Sequence, residues 1–121
     1  MDHSPGFLKL VGEVMPRVTE IDPPSAAEQA RTGKAVLIDV REESEWHAAH
    51  AAHAQYLGRG ILERDIEKLV PDLNTPVVLY CGGGFRSALA TDNLQKMGYT
   101  NVRSMAGGFT GWKAAGLPVE K

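Results

Sequence analysis

A single cysteine, Cys81, stands in a chain of 121 residues. One thiol makes no intramolecular disulfide and builds no cysteine-rich zinc site, so Cys81 is either inert packing or chemistry. Positive charge is in short supply as well: 13 basic side chains face 15 acidic ones, for a formal net charge of -2. Phosphate binding needs a basic stripe and none is visible, which argues against nucleic acid as a partner. No apolar run approaches the roughly 18 residues of a spanning helix, so no membrane role is expected. A secretory pattern is missing too. Lys9, Gly12 and Glu13 break the apolar stretch from Phe7 to Val14, and no cationic region precedes it. The expectation is a cytoplasmic protein. Internal repeats and low-complexity tracts are also absent.

What is present is enough apolar material for one core. Hydrophobic residues make up 43% of the chain, and a domain of this size buries roughly two-thirds of its unfolded surface without staples or a structural metal. Phe7, Leu10, Val11 and Val14 share a helical face that Pro16 stops, giving an N-terminal helical arm over 1–17 ahead of the main domain, 18–121. The apolar face of that arm has to be covered, by its own domain or by a second copy. Val18 to Ile21 reads as a short strand. Asp22 followed by Pro23 and Pro24 is an N-cap with prolines in the first turn of a helix to about residue 31, closed by Gly33. Ala35 to Val40 is a near-continuous β-branched run, the pattern of a strand buried on both faces. Helical readings follow for Glu42 to His50 and for Ile61 to Val70, the latter ended by Pro71.

Pro76 to Tyr80 is a second buried strand. It runs into CGGGFRS at 81–87 and then into a helix over about 86–97 capped by Gly98. Val102 to Met105 reads as another strand, and Phe109 to Ala115 as a last helix. Strands alternating with helices at this spacing predict an α/β fold with four or five mostly parallel strands flanked by helices.

Cys81 falls at the carboxyl end of a strand and at the start of a turn into a helix, which is where ligands bind in open α/β sheets. Gly82, Gly83 and Gly84 let the backbone take positive φ, so that amide N–H groups converge on one point, and the following helix adds its dipole. Arg86 and Ser87 add a guanidinium and a hydroxyl. Such a loop favours a thiolate, or a sulfur anion attached to Cys81. A loop that binds an anion without covalent chemistry is the competing reading.

Four segments resemble one family in order and spacing. YCGGGFRSA at 80–88 resembles the active-site loop of the rhodanese-like sulfurtransferases, and LIDVRE at 37–42 their early strand. EWHAAHAAHA at 45–54 sits where that family has a Glu followed by Gly-His-Ile-Pro-Gly-Ala, and AGGFTGWKAAGLPVE at 106–120 resembles its C-terminal ending. The resemblance covers about residues 18–120. It implies a three-layer α/β fold and a Cys81 persulfide formed by ping-pong transfer from a donor such as thiosulfate. Gly82, Gly83, Gly84, Phe85, Arg86 and Ser87 would hold the substrate. Acceptors would be cyanide or a thiol, with glutathione persulfide, thioredoxin or a sulfur-relay protein as further partners. No metal or organic cofactor is implied. A persulfide carrier without turnover on small donors is the alternative. A phosphatase or arsenate reductase of the same fold is less favoured, since such enzymes carry five residues between cysteine and arginine and this chain carries Gly82 to Phe85 only.

Several other residues are weighed on their own chemistry. Asp39 and Arg41 could act in catalysis, but an Asp ending a buried strand with an Arg beside it reads better as a structural ion pair near the site. His47, His50 and His53 recur every third residue. On a helix the outer two diverge and no acid or thiol completes the set, so solvated or hydrogen-bonding roles are expected rather than metal. In the 49–54 segment only His50 and Ala54 match the family. Ala49, Ala51, Ala52 and His53 replace its Gly, Ile, Pro and second Gly, a change of local backbone rather than of chemistry. Trp46 and Trp112 read as core or pocket rim, and Arg59 and Arg64 as solvated charges that could steer an anion.

Overall fold

The computed structural model, which describes residues 3–121, centres on a five-stranded sheet. Its spatial order is β1 (Glu20–Ile21), β6 (Val102–Met105), β5 (Val77–Tyr80), β2 (Val36–Asp39) and β4 (Gln55–Tyr56), and every neighbouring pair is parallel. Alternation sorts the inner strands into two cores. Leu37, Val78 and Tyr80 face one side, where helices α2 (Pro23–Arg31) and α6 (Gly108–Ala114) supply Ala26, Phe109 and Trp112. Ile38, Val77 and Leu79 face the other, where α4 (Leu62–Leu69) and α5 (Phe85–Met97) supply Leu62, Ile66 and Leu94. The expected three-layer α/β arrangement is therefore what forms.

Local signals account for the element ends. The Asp22 carboxylate accepts from the Ser25 N–H at 2.8 Å and caps α2. Gly98, at φ +112°, closes α5 in the left-handed conformation. The N-terminal helix α1 (Pro5–Val14) is capped by Ser4 and lies on α5, where Val11 and Val14 are buried against Ala88 and Leu89. Its own chain thus covers the arm's apolar face at Val11 and Val14, whereas Leu10 is 50% exposed. Its far end is tied down by Arg17, whose Nε and Nη2 donate to Asp92 at 2.9 and 3.1 Å. Arg17 and Lys96 hold the Asp92 carboxyl below the usual carboxylate range. Among the described residues no helix is long and apolar enough to cross a membrane.

The segment after β2 departs from its sequence reading. Helix α3 (Glu43–Ala48) stops before His50, because Ala49 is fully extended. His50–Ala51 is instead a strand, β3, paired antiparallel with β7 (Val119–Glu120). The three histidines therefore never share a helix. His47 is exposed on α3, His50 is buried in β3 with its ring stacked on Trp46 at 3.4 Å, and His53 sits in a turn with φ +69°. Strands β3, β4 and β7 escaped prediction for a simple reason. Each is two residues long and carries too little alternation to read.

Candidate functional site

The sheet places Cys81 where the connections diverge. From β2 the chain moves outward to β4, whereas from β5 it returns through α5 to β6 on the opposite side, so the carboxyl ends of β2 and β5 mark a topological switch point. Cys81 follows β5 directly, and beside it Asp39 ends β2 and Val40 and Arg41 follow.

Two backbone amides point at the sulfur. The Gly84 N–H donates to Cys81 Sγ at 3.1 Å and the Ser87 N–H at 3.3 Å. The thiol itself lies 3.5 Å from Ser87 Oγ, which is in turn 2.8 Å from Ser104 Oγ on β6. Gly84 takes φ +104°, a conformation other residues resist, and thereby turns its amide inward. The carbonyls are turned the other way. Cys81 O accepts from the Phe109 N–H at 2.7 Å and Gly82 O from the Thr110 N–H at 3.1 Å, both in the first turn of α6. With its oxygens occupied there, the loop offers donors toward the sulfur, a cradle for a sulfur anion.

Arg86 is held from a second element. Its Nη1 and Nη2 donate to the Glu45 carboxylate on α3 at 3.2 and 3.4 Å. Glu45 also accepts the Glu42 N–H at 3.1 Å, so one side chain caps α3 and anchors the guanidinium. Burial works to raise the Glu45 carboxyl, but Arg86, the Glu42 amide and Arg41 outweigh it and hold it below the usual range. Burial likewise works against the charge on Arg86, and Glu45, with Cys81 and Glu42, more than restores it.

Asp39 and Arg41 form a different unit. Arg41 Nε and Nη2 reach Asp39 at 3.1 and 2.8 Å, Nη2 also donates to Ala49 O at 2.7 Å, and the Tyr80 hydroxyl donates to Asp39 Oδ2 at 2.7 Å. The guanidinium also lies over the Phe109 ring, 4.3 Å from its centroid. Asp39, Arg41, Tyr80 and Phe109 are buried, and none of them lines the cleft above Cys81. Burial and the nearby Asp39 charge push the Tyr80 hydroxyl far above its ordinary value, so it remains a donor. The pair thus ties the end of β2 to Tyr80 of β5 and to the Ala49 carbonyl.

The cleft over the loop has a volume of about 990 Å³. Cys81, Gly82, Gly83, Phe85 and Arg86 form one part of its lining, and Glu45, Thr110, His3, Ser4 and Phe7 the rest. Of the loop residues read from the sequence, Gly84 and Ser87 hold the sulfur from behind without lining the cleft. Arg59 and Arg64 are not in its lining and pair instead with Glu63 and Asp65. Among the described residues no group of three or more His, Cys, Asp and Glu side chains is placed to hold a metal ion. Sequence reasoning missed Glu45, Ser104, the first turn of α6 and the arm residues. Glu45 had a signal, standing three residues after Glu42 at the start of a helix, and so had the paired Gly107 and Gly108.

The rhodanese-like domain model matches residues 22–115. The chain belongs to the rhodanese-like family. Among its curated relatives is the thiosulfate sulfurtransferase GlpE of Actinobacillus succinogenes, 36% identical over 102 residues, which cover 84% of this chain and 90% of that one. The protein of the same name in Haemophilus influenzae is 35% identical over 84% of this chain and 93% of its own. Two solved structures are similar over nearly the whole rhodanese-like chain. One is a Rhodopseudomonas palustris protein described as a possible tyrosine phosphatase, with TM-score 0.87 and 27% identity over 99% of this chain and 98% of that one. The other is the homodimeric polysulfide-sulfur transferase of Wolinella succinogenes, with TM-score 0.80 and 27% identity over 95% and 87%. The enzyme expected from the loop motif thus has relatives that carry an enzyme's name along most of its length.

Proposed function

We propose that this chain moves sulfane sulfur from thiosulfate or a related donor to a thiophilic acceptor, with Cys81 as the nucleophile. The observation that carries the reading is the position of Cys81 Sγ at the focus of the Gly84 and Ser87 amides, 3.1 and 3.3 Å away. The Cys81 thiolate attacks the outer sulfur of thiosulfate, the sulfur–sulfur bond of the donor breaks, and sulfite leaves with the electron pair. The product is a Cys81 persulfide whose outer sulfur carries the charge. Loop amides stabilise that charge as they would an oxyanion. Cyanide or a thiolate then attacks the outer sulfur, the bond to Sγ breaks, and the thiolate is restored. Arg86, fixed by Glu45 at the cleft wall, attracts the anionic donor. No cofactor takes part in this cycle.

Relatives named thiosulfate sulfurtransferase support this substrate class. Intact mass of the wild type and of Cys81→Ser after incubation with thiosulfate tests it. The expected result is a gain of about 32 mass units on the wild type alone, removed by cyanide. Sulfur that adds only in the presence of a donor protein, thioredoxin or a sulfur-relay partner among them, would make the chain a carrier. The description of the Rhodopseudomonas palustris neighbour keeps a phosphatase reading in view. Here Cys81 and Arg86 are separated by Gly82 to Phe85 alone, a shorter cradle than the phosphatase form of the fold. Hydrolysis of an aryl phosphate, or reduction of arsenate, without any sulfur uptake would overturn the sulfur reading.

A further inference from the structure

The arm reaches the cleft from outside the region that defines the family. The family match begins at residue 22, whereas His3, the cap residue Ser4 and Phe7 of α1 line the cleft over Cys81. They do so as part of an aromatic cluster. The His3 ring lies 5.1 Å from Phe7 and 4.9 Å from Phe85, and the Phe7 and Phe85 rings are 6.1 Å apart, all three tilted against one another. Phe85 is itself in the loop, between Gly84 and Arg86. The arm is no loose addition, because Val11, Val14 and the Arg17–Asp92 pair fix it on α5.

The size and apolar character of the cleft exceed what an inorganic donor requires. Thiosulfate needs a cationic or amide-lined pocket of its own dimensions, which the loop and Arg86 supply. The remaining space brings the cleft to about 990 Å³, the upper end of the roughly 300–1,000 Å³ that small organic ligands occupy. One wall of that space is the three rings. Aromatic side chains recognise flat or apolar bodies through dispersion and edge-to-face contact and do little for a small hydrated anion. The charged groups in the lining are Arg86 and Glu45, already paired to each other.

We infer that the N-terminal arm is part of the substrate site and that His3, Phe7 and Phe85 seat the apolar body of a low-molecular-weight organic thiol while its sulfur faces Cys81. The inference rests on the sulfurtransferase reading and adds the arm residues that seat the acceptor and the apolar character of its body. In the step concerned, the thiolate attacks the outer sulfur of the Cys81 persulfide. A sulfur–sulfur bond forms to the acceptor, the bond to Cys81 Sγ breaks, and its electron pair stays on Sγ. The acceptor leaves as an organic persulfide, and no external oxidant or reductant is needed. His3, Phe7 and Phe85 are positioning residues in this scheme, without proton chemistry.

The test uses the full chain and reads discharge of the thiosulfate-loaded protein by intact mass. Benzyl mercaptan and cyanide are compared as acceptors. The ratio of their rate constants is expected to fall about tenfold in Phe7→Ala, the scale of one lost aromatic contact, and to hold in Leu8→Ala. Leu8 lies on the same helix, is 46% exposed and is absent from the lining. An unchanged ratio in Phe7→Ala overturns the inference, whether both rates fall together or neither moves. A second readout does not depend on sulfur transfer. Cys81 alkylation by N-benzyl iodoacetamide relative to iodoacetamide is expected to favour the benzyl reagent in the wild type and to lose about tenfold of that preference in Phe7→Ala. No preference in the wild type, or failure of the benzyl reagent to react, rejects the aromatic wall. Failure of thiosulfate to load the wild type, with the alkylation preference intact, rejects the sulfurtransferase reading and keeps the wall.

Discussion

Gly108 lies against the backbone of Cys81 so closely that a Cβ at position 108 would overlap the Cys81 carbonyl oxygen and stand 2.7 Å from the Gly82 carbonyl carbon. That contact lets the Phe109 and Thr110 amides reach the carbonyls of Cys81 and Gly82. The helix that reads in sequence as a C-terminal ending thus sets the polarity of the loop. Glycine is required twice over at 108, by the absent Cβ and by φ +55°.

Gly108→Ala is therefore expected to cost about 2–4 kcal/mol, the sum of left-handed strain and an overlap with backbone that has no flexible end to yield. Sulfur loading of Cys81 should fall at least tenfold at temperatures where the variant is still folded by circular dichroism. Gly107→Ala is the control. It also sits at positive φ, +75°, but a Cβ there meets Gly111 at 3.5 Å, ordinary contact. Strain of about 1–2 kcal/mol without loss of loading is expected for it. Equal loading in both variants would detach the α6 contact from loop geometry.

The Glu45–Arg86 pair predicts an acid limit. Glu45 titrates below its ordinary range in the folded chain, so the pair's contribution is complete above the unfolded carboxyl value of about 4.3 and is lost as pH falls through the lower folded value. Titration of Glu45 should therefore leave loading by thiosulfate unchanged around neutral pH and lower it only in acid. Glu45→Gln keeps an oxygen for the Glu42 amide and removes the charge. Arg86 then loses the opposing charge and the Oε2 acceptor at every pH, and loading at pH 7 should drop several-fold, while stability changes by less than about 1 kcal/mol because the pair is partly exposed. A variant that matches the wild type at pH 7 would show that Arg86 needs no anchor.

Tyr80→Phe tests the buried unit at the end of β2. The hydroxyl donates to Asp39 and accepts the Ala51 N–H at 3.0 Å, so its removal leaves a buried amide unpaired and one carboxylate oxygen with fewer donors. A loss of about 1–3 kcal/mol is expected in urea titration. Sulfur loading of the folded variant should remain, since the unit supports the strand ends and does not line the cleft. A large loss of loading with unchanged stability would move Asp39 and Arg41 from support into the chemistry.

These residues also mark what could be read from the sequence. The buried strands Val36–Asp39 and Val77–Tyr80 announce themselves by unbroken apolar runs, and Cys81 by the glycines after it, because each signal is local. Glu45 meets Arg86 across 41 positions and Phe109 meets Cys81 across 28, contacts that only the closed sheet creates. The arm is the same case. Its amphipathic face is legible, but its arrival over Cys81 depends on how α1 crosses α5. Strands β3 and β7 pair residue 50, in the interior of the domain, with residue 120 at its end, and neither carries a pattern of its own.

The turn after β3 gives the last prediction. His53 takes φ +69°, at the position where the family places glycine. Left-handed backbone costs a side-chain-bearing residue about 1–2 kcal/mol, offset in part because glycine loses roughly 0.5–1 kcal/mol more chain entropy on folding. His53→Gly should then raise stability by about 0.5 kcal/mol, visible as a higher urea midpoint with an unchanged slope. His53→Ala separates backbone from ring. It keeps the strained φ and discards the imidazole, and histidine tolerates this region better than most residues, so alanine should be the least stable of the three. An order in which glycine falls below histidine would mean that the exposed ring makes a stabilising contact against Trp112 and Leu117, with which it shares a small cavity of about 220 Å³. In that case the family's glycine was replaced for the side chain that took its place and not merely tolerated.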